Sequence, residues 1–248
     1  MLYSEKLKTF TAAHPCETVT VGGVPYRYIL CGRDTGRTLV FLNGGMNTLE
    51  MWMDYVDGLS GDGGMVAQIY VQKYPGAAGG LILISTGGMD ANTLKSLKRK
   101  YFLAPLMLWY MKHCNYEKLK PALIKAGMSH IRNESTEEIA AAQDMFETIF
   151  RDYTQEKDVH ISGLLADLMH QVPVTAADFA ALAGNILLIL PDQDFFSGKM
   201  QADLIQLMHD PQIAYVSGGH LSTVLKPDDY IRTIRDFLHE TSEPLGAK

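Results

Sequence analysis

The sequence is short of cysteine, has no basic excess, and contains no long apolar run. Its three cysteines, Cys16, Cys31 and Cys114, are odd in number and scattered. They show no CxxC or Cys/His ligand spacing, which excludes a disulfide framework and leaves no metal site to propose. No apolar run approaches the ~20 residues that a membrane-crossing helix needs. The opening "MLYSEKLKTFTAAHP" lacks a basic start followed by an apolar region, so no secretory signal is visible and a cytoplasmic setting is the expectation. A net charge of -6 argues against a nucleic-acid surface. The single basic cluster, "LKSLKRKYF" at residues 94–102, is short and reads as a solvated helix face rather than a membrane patch. "GGMVAQ" has neither the G-x-G-x-x-G spacing nor a preceding strand, so no dinucleotide fingerprint is present. There is no internal repeat.

What is there belongs to an ordinary globular chain. The 248 residues, 47% hydrophobic and 20% charged, suffice for one large domain or a core with a smaller insert. "ETVTVGG" and "VPYRYILCG" read as a β-hairpin about Gly22-Gly23. "TLVFL", residues 38–42, is the kind of short apolar run that is buried on both sheet faces, and it ends in the glycine-rich turn "NGGMN". A helix is expected over residues 49–59. Two further buried strands follow, "GLILIST" at 80–86 and "NILLILP" at 185–191, with a weaker one, "QIAYVS", at 212–217. "GKMQADLIQLMHD", with Ser197 as N-cap, and residues 227–240 read as amphipathic helices. Strands alternating with helices imply a mainly parallel sheet covered on both faces.

One block breaks the alternation. Residues 89–172 hold no convincing strand; they are helical in character, with breaks expected at Pro105, Pro121, Gly127 and "RNES". "STEEIAAAQDMFETIFRDY" opens as a capping box, with Ser135 or Thr136 leading to Glu138. The expected organisation is an α/β core at 1–88, a helical lid at 89–172, and the rest of the core at 173–248. Trp52 and Trp109 are both expected to be packing residues, and the 13 methionines to fill an adaptable core.

In an open α/β sheet, function collects where strands end. "TLVFL" exits into Asn43-Gly44-Gly45, "NILLILP" into a loop with Asp192 and Asp194, and "QIAYVS" into "GGH" with His220. In "GLSGDGGMVAQIYVQKYP", Ser60 and Asp62 are the side chains that could attack a substrate. On these motifs the chain resembles the α/β-hydrolase family, as a lid-bearing esterase- or peptidase-like member, over nearly its whole length. The family's chain order is nucleophile, acid, histidine. The resemblance implies Asp194 as the acid, His220 as the base, and the Gly45 turn as one arm of an oxyanion hole. It implies an α/β-hydrolase-like three-layer fold, no cofactor, and a small-molecule ester, thioester or amide as substrate.

The chain departs from the family at the nucleophile. There the attacking residue precedes Gly63-Gly64 by one intervening residue, which places Gly61 at that position. About 30–40 residues, enough for two strands and a helix, are missing between the helix at 49–59 and this Gly-Gly. Three readings stay open. Ser60 attacks, with the Gly61 N–H in the oxyanion hole. Asp62 attacks, as in the Asp-nucleophile dehalogenase branch. Or the nucleophile has left with the missing segment, and the chain is an inactive remnant or a binding protein. A homo-oligomer that completes the sheet is also left open.

Overall fold

The computed structural model describes residues 2–21, 23–31, 38–40, 52–58, 64–129, 131, 134–151, 153–194, 196 and 198–240. The described elements begin with helix α1 (Tyr3–Ala13), the strands β1 (Glu17–Val21) and β2 (Val24–Tyr28), helices α2 (Met53–Gly58) and α3 (Gly64–Lys73), and strand β3 (Leu81–Ile84). Five helices follow: α4 (Ala91–Lys100), α5 (Ala104–His113), α6 (Tyr116–Met128), α7 (Thr136–Arg151) and α8 (Gln155–Leu168). A 3-10 helix (Ala176–Leu182) leads into β4 (Ile186–Pro191), α9 (Gly198–Leu207), β5 (Gln212–Val216), α10 (Ser222–Leu225) and α11 (Pro227–Glu240).

The apolar runs form a parallel sheet in the order β3-β4-β5, with Leu81 opposite Ile186 and Ile189 opposite Ala214. Because successive strand side chains point to opposite faces, an all-apolar strand serves two cores at once. On one face Leu83, Leu188 and Leu190 pack with Met89, Phe179 and Leu204. On the other, Ile84, Leu187 and Ile189 pack with Trp52 and Tyr55, and with Tyr230 and Ile234 of α11. Helices on both faces make the three layers of an α/β fold. The parallel links are crossovers: the helical block joins β3 to β4, and α9 joins β4 to β5. No helix of the described residues is long and apolar enough to cross a membrane.

Several expectations are met. The hairpin forms, with Glu17 opposite Tyr28. The capping box at α7 is present: the Ser135 N–H donates to Glu138 Oε2 at 2.7 Å, and the Glu138 N–H donates to Ser135 Oγ at 3.2 Å.

Others need correction. Residues 38–40 carry no strand, and Val40 is 73% exposed; residues 41–42 lie outside the described residues. A strand buried on both faces needs paired neighbours, and none of the described strands pairs with residues 38–40. Pro121 lies inside α6 and does not end it. Trp52 is buried, as expected, but Trp109 is 59% exposed and packs no core. Helix α1 is not foreseen in the sequence; it is anchored by Tyr3 and Phe10, which join Met53 and Met145 in a separate cluster. Ser197, the expected N-cap of α9, lies outside the described residues.

Candidate active site

Adjacent parallel strands deliver their exits to one edge of the sheet. β4 ends in Asp192-Gln193-Asp194, and β5 ends in Ser217-Gly218-Gly219-His220. The two exit loops are laced together by backbone bonds: the Asp192 N–H donates to the Val216 carbonyl at 3.0 Å, and the Gln193 N–H to the Gly218 carbonyl at 3.0 Å. The Gly218 N–H in turn donates to Asp192 Oδ1 at 2.8 Å. This lacing brings His220 Nδ1 within 3.1 and 3.2 Å of the two Asp194 carboxylate oxygens. The Asp194 side chain is 1% exposed, while that of His220 is 36% exposed. With a proton on Nδ1 shared with the carboxylate, the neutral ring carries its lone pair on Nε2.

Neighbouring groups fix this pair. The Phe196 N–H donates to Asp194 Oδ1 at 3.2 Å, and the Phe196 ring lies 5.8 Å from the His220 ring, centroid to centroid. Gly87, just beyond β3, makes room for that phenyl ring: a Cβ there would lie 2.9 Å from it. Gln68 of α3, wholly buried, holds the β3 exit. It donates to the Gly87 carbonyl at 3.0 Å and accepts from the Met89 N–H at 2.9 Å. Below the histidine loop, Ser222 Oγ donates to the Gly219 carbonyl at 2.6 Å and lies 2.6 Å from the buried Tyr230 hydroxyl.

The helical block reaches this loop by charge. Lys226 Nζ lies 2.6 Å from Glu134 Oε2 and 3.8 Å from Glu138 Oε1, and it donates to the Ser217 carbonyl at 3.5 Å. The Glu134 carboxylate holds the Lys226 ammonium above the ordinary lysine range. Hydrogen bonds from Ser135, with Lys226 nearby, hold Glu138 below the ordinary carboxylate range. Gly218 sits at φ +128°, and a Cβ there would lie 3.1 Å from Glu134 Oε1. Glycine therefore suits both the backbone and the close approach of the block.

Of the expected site residues, Asp194 and His220 are brought together. Ser60, Gly61, Asp62 and Gly45 lie outside the described residues. Sequence reasoning passes over Ser85, at the exit of β3. It has φ +46°, is 8% exposed, and its hydroxyl finds no partner among the described residues. A positive φ at a non-glycine residue marks local strain, which gathers at functional sites. The signal available in the sequence was its place, directly after "LILI" and before Thr86-Gly87-Gly88. Among the described residues no group of three or more His, Cys, Asp or Glu side chains could hold a metal ion. A pocket between α6 and α7, lined by Glu117, Lys120, Ile124, Gln143 and Phe150, includes neither Asp194 nor His220.

A scan against protein-family models finds no match, and neither does a sequence comparison with curated proteins. The chain is similar to an enol-lactonase from Burkholderia xenovorans LB400, at a TM-score of 0.68 and 12% identity, over 90% of this chain and 100% of that one. It is similar to a bacterial membrane phospholipase A at a TM-score of 0.65 and 13% identity, covering 96% of this chain and 92% of that one. A protein from Acinetobacter baumannii AYE described as a putative lipase matches at a TM-score of 0.60 and 15% identity, over 98% of each chain. At these identities the likeness is one of fold. The chain has an α/β-hydrolase fold.

Proposed function

We propose that the chain hydrolyses an ester, thioester or amide of a small apolar substrate through an acyl-enzyme. The single observation that carries this reading is the contact of both Asp194 oxygens with His220 Nδ1 at the exits of adjacent strands. A hydroxyl is a poor nucleophile until an imidazole takes its proton, and a carboxylate on Nδ1 holds that imidazole in the competent tautomer. Burial of Asp194 beside a half-open His220 suits the division of labour, with the acid enclosed and the base reaching the substrate.

The steps follow from these roles. His220 Nε2 takes the proton of the Ser60 hydroxyl as Oγ attacks the carbonyl carbon. The resulting oxyanion is held by backbone N–H groups at Gly45 and Gly61, each worth about 3–4 kcal/mol where such donors have been removed. The imidazolium then gives its proton to the leaving group, and a water deprotonated by His220 releases the acid. No cofactor takes part. In this reading the helical block, residues 89–172, is the lid, with Lys226 and Glu134 joining it to the histidine loop. Asp62 is the alternative nucleophile, in a dehalogenase-like hydrolase: its carboxylate displaces halide from a saturated substrate carbon, and water then hydrolyses the resulting aspartyl ester. A second serine is favoured by the strain and unpartnered hydroxyl of Ser85, which shares a sheet edge with Asp194 and His220. The rival from another class is a binding protein with a relict acid–histidine pair, as the glycine at position 61 would allow.

A fluorophosphonate probe and p-nitrophenyl butyrate separate these readings. Labelling and hydrolysis should both disappear in Ser60→Ala, and hydrolysis should fall more than about a hundredfold in His220→Ala. Loss in Ser85→Ala instead would move the nucleophile to the exit of β3, and halide release from a haloalkane that disappears in Asp62→Asn would make it a carboxylate. A wild-type chain that is not labelled and is no faster than His220→Ala is not a hydrolase of this kind.

A further inference from the structure

The corner between α4 and α5 exposes a concentration of large apolar side chains. Phe102, Leu103, Leu106, Met107, Trp109 and Tyr110 are each between 53% and 71% exposed. Inward, α5 turns Met111, which is buried, toward α8, and Gln155 of α8 donates to the Met111 carbonyl. The outward residues therefore have no use in the core, and so dense a patch marks an interaction surface.

Charge says which kind. Residues 91–116 hold five lysines and arginines and no acid, in a chain of net charge -6. Lys95, Lys98, Arg99 and Lys112 are exposed and have no acidic partner among the described residues. Lys100 Nζ lies 5.7 Å from the Tyr101 ring centroid. Taken from the sequence alone, the basic cluster is a solvated helix face; the exposure of the apolar residues beside it changes that reading.

We propose that this corner, residues 95–113, docks on an anionic lipid surface. Phe102, Leu106, Met107 and Trp109 enter the boundary between headgroups and acyl chains, while Lys95, Lys98, Arg99 and Lys112 meet the phosphates. Basic residues beside Trp, Phe and Leu are the composition of a helix that lies in the interface plane. Trp and Tyr favour that depth because their rings are apolar with one polar atom. A symmetric pairing of two copies through the same patch would set its unpaired cations against each other, which disfavours a second copy as the occupant. The protein would lie on the bilayer, not cross it, and the docking does not depend on whether Asp194 and His220 are catalytic.

Co-sedimentation of the full chain with vesicles tests this, with phosphatidylcholine alone compared with phosphatidylcholine plus phosphatidylglycerol. Binding should appear with the anionic vesicles and weaken with added salt. Reversal of Lys98, Arg99 and Lys112 to Glu should weaken it about a hundredfold or more. Leu106→Ser/Met107→Ser, at exposed positions, should abolish it while leaving the circular dichroism unchanged. The two tryptophans supply a second readout, since Trp52 is 6% exposed and Trp109 is 59% exposed. A blue shift on vesicle binding should vanish in Trp109→Phe while co-sedimentation persists. Absence of binding to the anionic vesicles overturns the proposal. So does concentration-dependent self-association that Leu106→Ser/Met107→Ser removes while no vesicle binding is seen.

Discussion

Strand β4 (ILLILP) and the strands of the β1–β2 hairpin (ETVTV and VPYRY) are all extended, yet Ile186 to Leu190 are at most 2% exposed, while Val19 is 45% and Tyr26 54% exposed. β4 is wholly apolar, whereas the hairpin mixes β-branched and aromatic residues, which favour extended backbone, with Glu17 and Arg27. β4 has a paired strand on each edge and a helical layer on each face. Among the described residues, each hairpin strand has only the other. Composition thus selects extended backbone, but the number of paired edges and covered faces decides where the energy lies. A lone two-stranded ribbon is marginal in water. The sharpest way to break the comparison is Leu188→Ala, at a residue with no exposed surface. Its loss should cost about 2–5 kcal/mol, read as a lower urea midpoint at unchanged slope. A cost below about 1 kcal/mol would mean that β4 is not the packed centre.

The helical block is held differently from the sheet, by polar pairs as well as apolar clusters. Asp158 of α8 is 4% exposed and accepts a 2.9 Å bond from the Tyr116 hydroxyl of α6. Burial pushes the Asp158 carboxyl above its ordinary range, with the Tyr116 bond opposing it. Burial, with the same carboxyl, raises the Tyr116 phenol, and burial pushes Tyr153 up to about 12. A carboxyl whose folded pKa is raised binds more protons folded than unfolded. Its stabilising contribution is therefore present at low pH, and it is lost as pH rises from the ordinary carboxylate range through the folded value. Asp158→Asn should remove that slope. Tyr116→Phe removes the one bond opposing the upward shift, so the slope should extend to higher pH, and about 1–3 kcal/mol should be lost at neutral pH. Urea titrations across pH read both effects, and an unchanged slope in Asp158→Asn would show that the pair does not govern it.

β3 and β4 are legible in the sequence because each is a continuous apolar run that its neighbours bury; β5 is a weaker signal, with Ile213 39% and Tyr215 67% exposed. The acid and the histidine are legible for the same reason: strand exits of one parallel sheet converge, so Asp194 and His220 need only lie a few residues past their strands. Residues 38–40 misled, since an apolar run becomes a buried strand only when something pairs with it, and composition says nothing of that. Helix α1 was hidden because its Tyr3 and Phe10 anchors are buried by Met145, far along the chain. The Tyr116–Asp158 pair is equally invisible, as it depends on how helices 42 positions apart lie together. Ser85 is intermediate. Its place after a strand is plain, but its positive φ and unpartnered hydroxyl are properties of backbone and packing.

The smallest expected effect bears on the hairpin itself. Val19 and Tyr26 are opposite one another in the register, so each side chain has the other as a cross-strand neighbour. Such a pair contributes roughly 0.2–1 kcal/mol to the ribbon. Because among the described residues the ribbon shares no strand with the main sheet, its loss should scarcely reach the urea midpoint of the whole chain. Val19→Ala/Tyr26→Ala should then change that midpoint by the equivalent of about 0.5 kcal/mol or less, within the range of ordinary surface substitutions. It should nonetheless speed hydrogen exchange at the amides of β1 and β2, which open locally. A loss above about 1 kcal/mol would put the hairpin within the cooperative core alongside β4, and the contrast between the two would then be one of exposure alone.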